Sequence, residues 1–319
     1  MPAEPSFHPP DVLVLAAGGI LGEAWMTGVL AGIEASTGVD FRDTESLVGT
    51  SAGAIIASGL AGGQSPRRPG ARRSGTAQGF TQDTRSAGQE AAARGRSSAV
   101  TGLVGAAGGW AWGLTASLAP AALTAGAPGG ALVRAAVLAR VPAAGGNLHA
   151  LHERVARLAI SFDGRLRVVC VDRRRGRRVV FGAPGAPAAS VADAVSASCS
   201  VPWIFSPVRI GGRDYVDGGV WSLTNMDVAP TGRATEVLCL SAASGLGGAL
   251  TSPVGALRAA ARAAAALEVL ALRRRGTKVR VVAPSGAAAR VLGANLMDPR
   301  PRQRVLEAAF EQGLRVGGG

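Results

Sequence analysis

Five residues, Gly49-Thr50-Ser51-Ala52-Gly53, have the types and spacing that can activate a serine. In a G-x-S-x-G turn the serine occupies a strained strand-to-helix corner, and only residues without bulk fit beside it. Its hydroxyl then stands at a helix N-terminus, where unpaired N–H groups and the helix dipole favour the negative charge of an attacked ester carbonyl. The pattern is short, and glycine-rich chains also carry it by chance. A serine nucleophile needs a base, and the histidines are only His8, His149 and His152. The α/β-hydrolase order of serine, acid and then histidine is not met. The only acids between Ser51 and His149 are Asp83 and Glu90. A carboxylate is the other candidate. Asp217-Gly218-Gly219 follows the apolar pair Tyr215-Val216, and two glycines leave the acid unshielded and let backbone pass close to another loop. Asp-Gly is also ordinary turn chemistry, so the dipeptide alone fits either role.

These residues must be held by elements that the pattern also predicts. Asp11–Ala17 is a continuous apolar run of strand length, then comes the glycine turn Gly18-Gly19-Ile20-Leu21-Gly22, and Glu23–Glu34 reads as a helix. The unit repeats at once, with strand Ser46–Val48, the Ser51 turn and a helix from Ala54 to Leu60. Strands buried on both faces and alternating with helices predict an α/β fold of three layers around a mainly parallel central sheet. Further on, the pattern predicts helix Leu148–Leu158 and a hairpin of strands Leu166–Val171 and Arg178–Phe181. Helix Ser190–Ala197 and short strands Val208–Ile210 and Tyr215–Val216 follow. The chain then closes with strand Glu236–Leu240, helix Val254–Arg274, strand Lys278–Val282 and helix Arg300–Leu314.

One domain is expected over 11–315, interrupted twice. Residues 63–98 are rich in Ser, Arg and Gly without periodicity, which reads as a flexible surface insertion. Residues 99–147 form a Gly/Ala-rich apolar stretch with Trp110 and Trp112, free of charge between Arg96 and Arg134, and read as a mobile cap over the pocket. Pro120 and Pro128 interrupt it, so it is a poor membrane span.

Composition sets outer bounds. The 319 residues are 47% hydrophobic, enough for a sizeable core and unlike a wholly disordered chain. The net charge of +13 is nearly all arginine, and Lys278 is the only lysine. The run Arg173-Arg174-Arg175-Gly176-Arg177-Arg178 reads as a solvated hairpin tip. An anionic headgroup or nucleic acid is the alternative for that run, and the apolar α/β pattern argues against a nucleic-acid binder. Cys170, Cys199 and Cys239 fit neither a disulfide framework nor zinc spacing. A reducing, cytoplasmic location without metal is expected, and no signal peptide is apparent at the start. Ala17 stands where a dinucleotide fingerprint needs its first glycine, so Gly18–Gly22 is not one, and no cofactor is expected.

Taken in order, strand–Gly18-Gly19-Ile20-Leu21-Gly22, Gly49–Gly53, Val201-Pro202, Pro207-Val208, Tyr215–Gly219 and Thr224-Asn225 resemble the patatin-like phospholipase family. The resemblance covers roughly 11–62 and 187–242. It implies hydrolysis of acyl lipids by a serine–aspartate dyad without histidine, in a patatin-like fold. Carried over, Ser51 is the nucleophile and Asp217 the general base. Gly18, Gly19 and Gly22 supply oxyanion N–H groups, and Gly49, Gly53, Gly218 and Gly219 flank the reacting pair. The implied partners are a lipid or acyl ester and, peripherally, an anionic membrane. A catalytically impaired relative that binds an acyl ligand is the alternative. One departure is visible: the family places Arg or Lys just before the last loop glycine, and this chain has Leu21. That change weakens the phospholipase expectation more than the acyl-hydrolase one.

Overall fold

The computed structural model describes residues 7–70, 128–141, 146–244, 253–293 and 295–318. Its centre is an eight-stranded sheet. The strands are β1 (Val12–Leu15), β2 (Ser46–Thr50), β3 (Leu166–Asp172), β4 (Arg177–Phe181), β5 (Val208–Ile210), β6 (Arg213–Asp217), β7 (Glu236–Leu240) and β8 (Lys278–Val282). The order is β5-β6-β3-β2-β1-β7-β8, with β4 also on β3. Strands β3, β2, β1, β7 and β8 are mutually parallel, and β4 and β6 run antiparallel to β3.

Side chains alternate across this sheet as the strand period of two requires. Leu13, Leu15, Leu47, Val168, Cys170, Leu238 and Leu240 face one core. Helices α1 (Gly19–Thr37), α2 (Ala52–Ala61), α4 (His149–Ala156), α5 (Val191–Ser198), α7 (Gly286–Leu292) and α8 (Arg302–Gly317) contribute to it. Val12, Val14, Val48, Val169, Val237 and Cys239 face the other, covered by α6 (Pro253–Arg274) through Ala265 and Leu272. Helix α3 (Pro128–Ala139) packs Leu138 on Val171, Val216 and Val220. The predicted three-layer, mainly parallel α/β fold is the observed one.

Three local readings differ. Helix α1 begins at Gly19 and not at Glu23, because Gly18 and Gly22 already close its first turn with a 2.9 Å hydrogen bond. The Ala-rich helix α7 was not expected, and its start is fixed by a capping bond from Ala288 N–H to Ser285 Oγ. The arginine run is only partly solvated. Arg173 donates to the carbonyls of Leu138 and Val141 at the end of α3, as a cation at a helix C-terminus should. Arg178 is paired with Asp227 and lies over the Trp221 ring, which leaves Arg174, Arg175 and Arg177 exposed. Most of the insertion expected at 63–98 and of the cap at 99–147, including Trp110 and Trp112, lies outside the described residues. Among the described residues no helix is long and apolar enough to cross a membrane.

Candidate active site

The pairing of β3 explains why Ser51 and Asp217 meet. Residues Val168–Asp172 of β3 pair with β4 on one edge. The opposite edge is shared by two strands, since Leu47–Thr50 of β2 pair with Leu166–Val169 and Tyr215–Asp217 of β6 pair with Cys170–Asp172. Because β2 is parallel to β3 and β6 antiparallel, the two strands run toward each other and stop at adjacent rungs. Thr50 ends opposite Val169 and Asp217 ends opposite Cys170. Two residues more than 160 apart in sequence are thereby placed side by side by backbone pairing alone.

At the end of β2 the chain turns sharply. Ser51 has φ 53° and ψ −120°, a backbone state that costs a non-glycine residue on the order of 1–3 kcal/mol and persists only where its surroundings impose it. Two flanking glycines permit the turn. A Cβ on Gly53 would lie 1.9 Å from the Leu15 carbonyl oxygen, and one on Gly49 would lie 2.5 Å from Ala54 Cα. The Ser51 N–H donates to Ser198 Oγ (2.9 Å), and that hydroxyl donates to the Val169 carbonyl (2.7 Å). Ser198, at the end of α5, therefore pins the elbow to β3. Nothing in its sequence context set it apart from the neighbouring serines Ser196 and Ser200.

Asp217 is equally fixed. Its N–H donates to the Ser200 carbonyl (3.0 Å), and its Oδ1 accepts the Gly219 N–H (2.7 Å). Gly218 must lack a side chain, since a Cβ there would lie 2.4 Å from the Val169 oxygen. Both side chains are buried, Ser51 at 0% and Asp217 at 1% exposure. Among the described residues, Ser51 Oγ and Asp217 Oδ2 have no made hydrogen bond. The serine hydroxyl lies near enough to the carboxyl to favour its charged form. Burial dominates the titration. It pushes Asp217 up from its ordinary 3.8 to about 7, against smaller opposing effects from Ser51 and the Gly219 N–H.

The glycine loop divides in its roles. Gly22 was expected to supply an oxyanion N–H, but that N–H is already bonded to the Gly18 carbonyl. Gly22 instead allows close packing, since a Cβ would lie 3.2 Å from Ala242 Cβ. Leu21 N–H donates to the Leu296 carbonyl, and the Leu21 side chain is in the core. A basic residue there would have to bury its charge, which accounts physically for the apolar residue in this chain. Gly18 and Gly19 have no acceptor among the described residues, and Gly19, at φ 61°, opens helix α1. At the head of α2, Ala52 and Gly53 N–H likewise have no backbone acceptor.

The segment 222–226 joins these parts. Its Leu223 carbonyl accepts the Ala17 N–H (2.8 Å), next to the glycine loop. Asn225, at φ 50°, donates from Nδ2 to Thr50 Oγ1 (3.2 Å), to the Gly218 carbonyl (3.3 Å) and to the Ser222 carbonyl (2.6 Å). One amide thus touches both the residue before Ser51 and the residue after Asp217.

No histidine takes part. His152 pairs with Asp193 at 3.0 Å, and His8 and His149 lie at the exposed surface. All three cysteines are buried, and none forms a disulfide. Among the described residues no group of three His, Cys, Asp or Glu side chains is placed to hold a metal ion.

A family profile described as patatin-like phospholipase matches residues 13–230, spanning β1, the elbow and Asp217. The chain belongs to the patatin-like phospholipase family. Membership carries a general expectation of lipid acyl hydrolase activity. No curated protein matches the sequence. Among solved structures, VipD from Legionella pneumophila is similar over 97% of this chain and 67% of its own, at 16% identity and a TM-score of 0.45. In this member of the patatin-like family the basic residue of the loop is replaced by core-packed Leu21, while the serine elbow and the Asp-Gly-Gly turn are complete.

Proposed function

We propose that the protein hydrolyses carboxylic esters of lipids through an acyl-enzyme on Ser51, with Asp217 as the single general base. The observation that supports this most is the head-on meeting of β2 and β6, which sets the otherwise unpartnered Ser51 Oγ before the Asp217 carboxyl. Asp217 takes the serine proton as Oγ attacks the ester carbonyl. The oxyanion is met by N–H groups of Gly18 and Gly19, and by Ala52 at the head of α2. The carboxyl then returns the proton to the leaving alcohol, and it next activates the water that releases the fatty acid.

An exposed carboxylate with a pKa near ~4 is a weak base toward a serine hydroxyl. Desolvation corrects much of this mismatch by raising Asp217 to about 7. A base poised near the working pH gives the best product of correct protonation and driving force. The active form is the ionised one. The expected kcat/KM for a neutral short-chain ester therefore rises with pH through an inflection near 7 and then stays level. A profile flat from pH 5 to 9 would contradict Asp217 as the base.

Substrate preference follows from Leu21. With no cation in the glycine loop, the ester carbonyl and acyl chain carry recognition at this point, and headgroup charge contributes little there. The complete burial of Ser51 is the one observation that favours a second reading, an acyl-binding relative with little turnover. Turnover of a short p-nitrophenyl ester that vanishes in Ser51→Ala separates the two.

A further inference from the structure

Two buried carboxylates of the described residues lie outside the Ser51–Asp217 pair, and one of them, Asp172, accepts the Arg174 and Arg175 N–H groups at its hairpin turn. The other, Glu268, in the C-terminal half of α6, is fully buried and projects from beneath the sheet onto segment 222–226. Its Oε2 accepts the Thr224 hydroxyl and the Met226 N–H (2.9 Å), and the Ser222 hydroxyl also favours its charge. Its Oε1 has no hydrogen-bond partner among the described residues. The charged and titratable groups around it are Asp227, which Arg178 holds, and the Cys239 thiol on β7. A lone acid in such a place is costly. Burial, with Asp227 adding to it, pushes Glu268 up to about 7. A core of Ala265, Leu272 and Met226 would be filled as well by an apolar side chain of the same length.

What the carboxylate adds is a grip on one segment. Thr224 and Met226 flank Asn225, whose amide reaches Thr50 and Gly218, while Leu223 holds Ala17. The serine elbow, the aspartate turn and the glycine loop are thus tied to a single stretch of five residues. That stretch is anchored from below by Glu268. We propose that Glu268 is a positioning residue that fixes segment 222–226, and through Asn225 keeps the Asp217 turn and the Ser51 elbow in reacting register. The proposal rests on the serine–aspartate reading above for its effect on rate, but not for its effect on the segment.

The test uses three full-length variants. Glu268→Met keeps length and apolar packing but accepts no hydrogen bond. Glu268→Gln keeps an oxygen that accepts both. Thr224→Val removes one donor from the other side and guards against a misfolded Met variant. Amide exchange of peptides covering 222–228 is expected to quicken on the order of 10-fold in Glu268→Met and Thr224→Val, as a local opening would require. Their kcat on a short ester should fall about 10-fold or more with KM within about threefold, the signature of lost alignment rather than lost binding. Glu268→Gln should recover most of both. Wild-type exchange and kcat in folded Glu268→Met, or in Thr224→Val, would overturn the proposal. So would an equal loss in Gln and Met, because charge and not acceptance would then be at work. Faster exchange without any esterase activity in the wild type would uphold the grip of Glu268 and refute the serine–aspartate reading instead.

Discussion

Asp217→Asn is expected to slow ester hydrolysis by on the order of 10²-fold or more, the usual worth of a general base, while making the fold more stable above neutral pH. The two effects have one cause. Burial raises the acid from 3.8 to about 7, so the folded chain keeps this proton after the unfolded chain has lost it. Between about pH 4 and about pH 7 the native state binds the extra proton, so stability falls as pH rises, and it levels off above about 7. The whole interval corresponds to on the order of 4 kcal/mol as an upper bound. Asparagine keeps the shape and the bond from Gly219 N–H without that cost. The variant should therefore melt above wild type at pH 8 and close to it at pH 4, with activity nearly absent throughout. Replacing His8, His149 and His152 together by glutamine should leave the rate within about threefold, because none of them lies at the site. A dead histidine variant beside an active Asp217→Asn would require a different base.

Gly53→Ala should be the most damaging methyl added at any of the described glycines. Its Cβ would stand 1.9 Å from the Leu15 oxygen and 2.4 Å from the Leu15 carbonyl carbon, both main-chain atoms of a central strand. No rotamer relieves such a clash, and β1 cannot retreat because it is paired with both β2 and β7. Overpacking against backbone falls among the severe mechanisms, and a loss on the order of 3–5 kcal/mol is expected. If the elbow yields and β1 holds, the strained Ser51 conformation is the part that gives way. A folded Gly53→Ala variant would then have lost turnover. Thermal melts and ester hydrolysis on the same preparation check both, and wild-type values for each would contradict the elbow geometry.

Sequence made parts of this site legible to different degrees. The elbow was readable because its requirements are local: a strand, two residues without bulk and a helix within a dozen positions. Asp217 was readable only by joining a turn dipeptide to the lack of a usable histidine and the order of motifs. The head-on meeting of β2 and β6 was not readable, because register on β3 is a matter of tertiary pairing. The same holds for Ser198, Asn225 and Glu268, common residue types that each bond a partner 29, 175 and 42 positions away respectively. The loop glycines show a different failure. Gly22 looked like a donor from its motif position, yet helix α1 starts early enough to take its N–H. Arg173 and Arg178 looked solvated as part of a charge run, and only the docking of α3 and the Asp227 partner revealed their internal bonds.

The most direct measurement is covalent labelling of the full-length protein by an alkyl fluorophosphonate, followed by mass spectrometry of the modified peptide. Activated serine attacks phosphorus with the same Oγ, base and oxyanion donors that it would use on an ester carbonyl, so the label reports the three together. The expected result is one phosphonyl group per chain, on Ser51 alone, absent in Ser51→Ala and strongly slowed in Asp217→Asn. A protein that is folded and unlabelled, or labelled equally well after Ser51→Ala, would contradict the account.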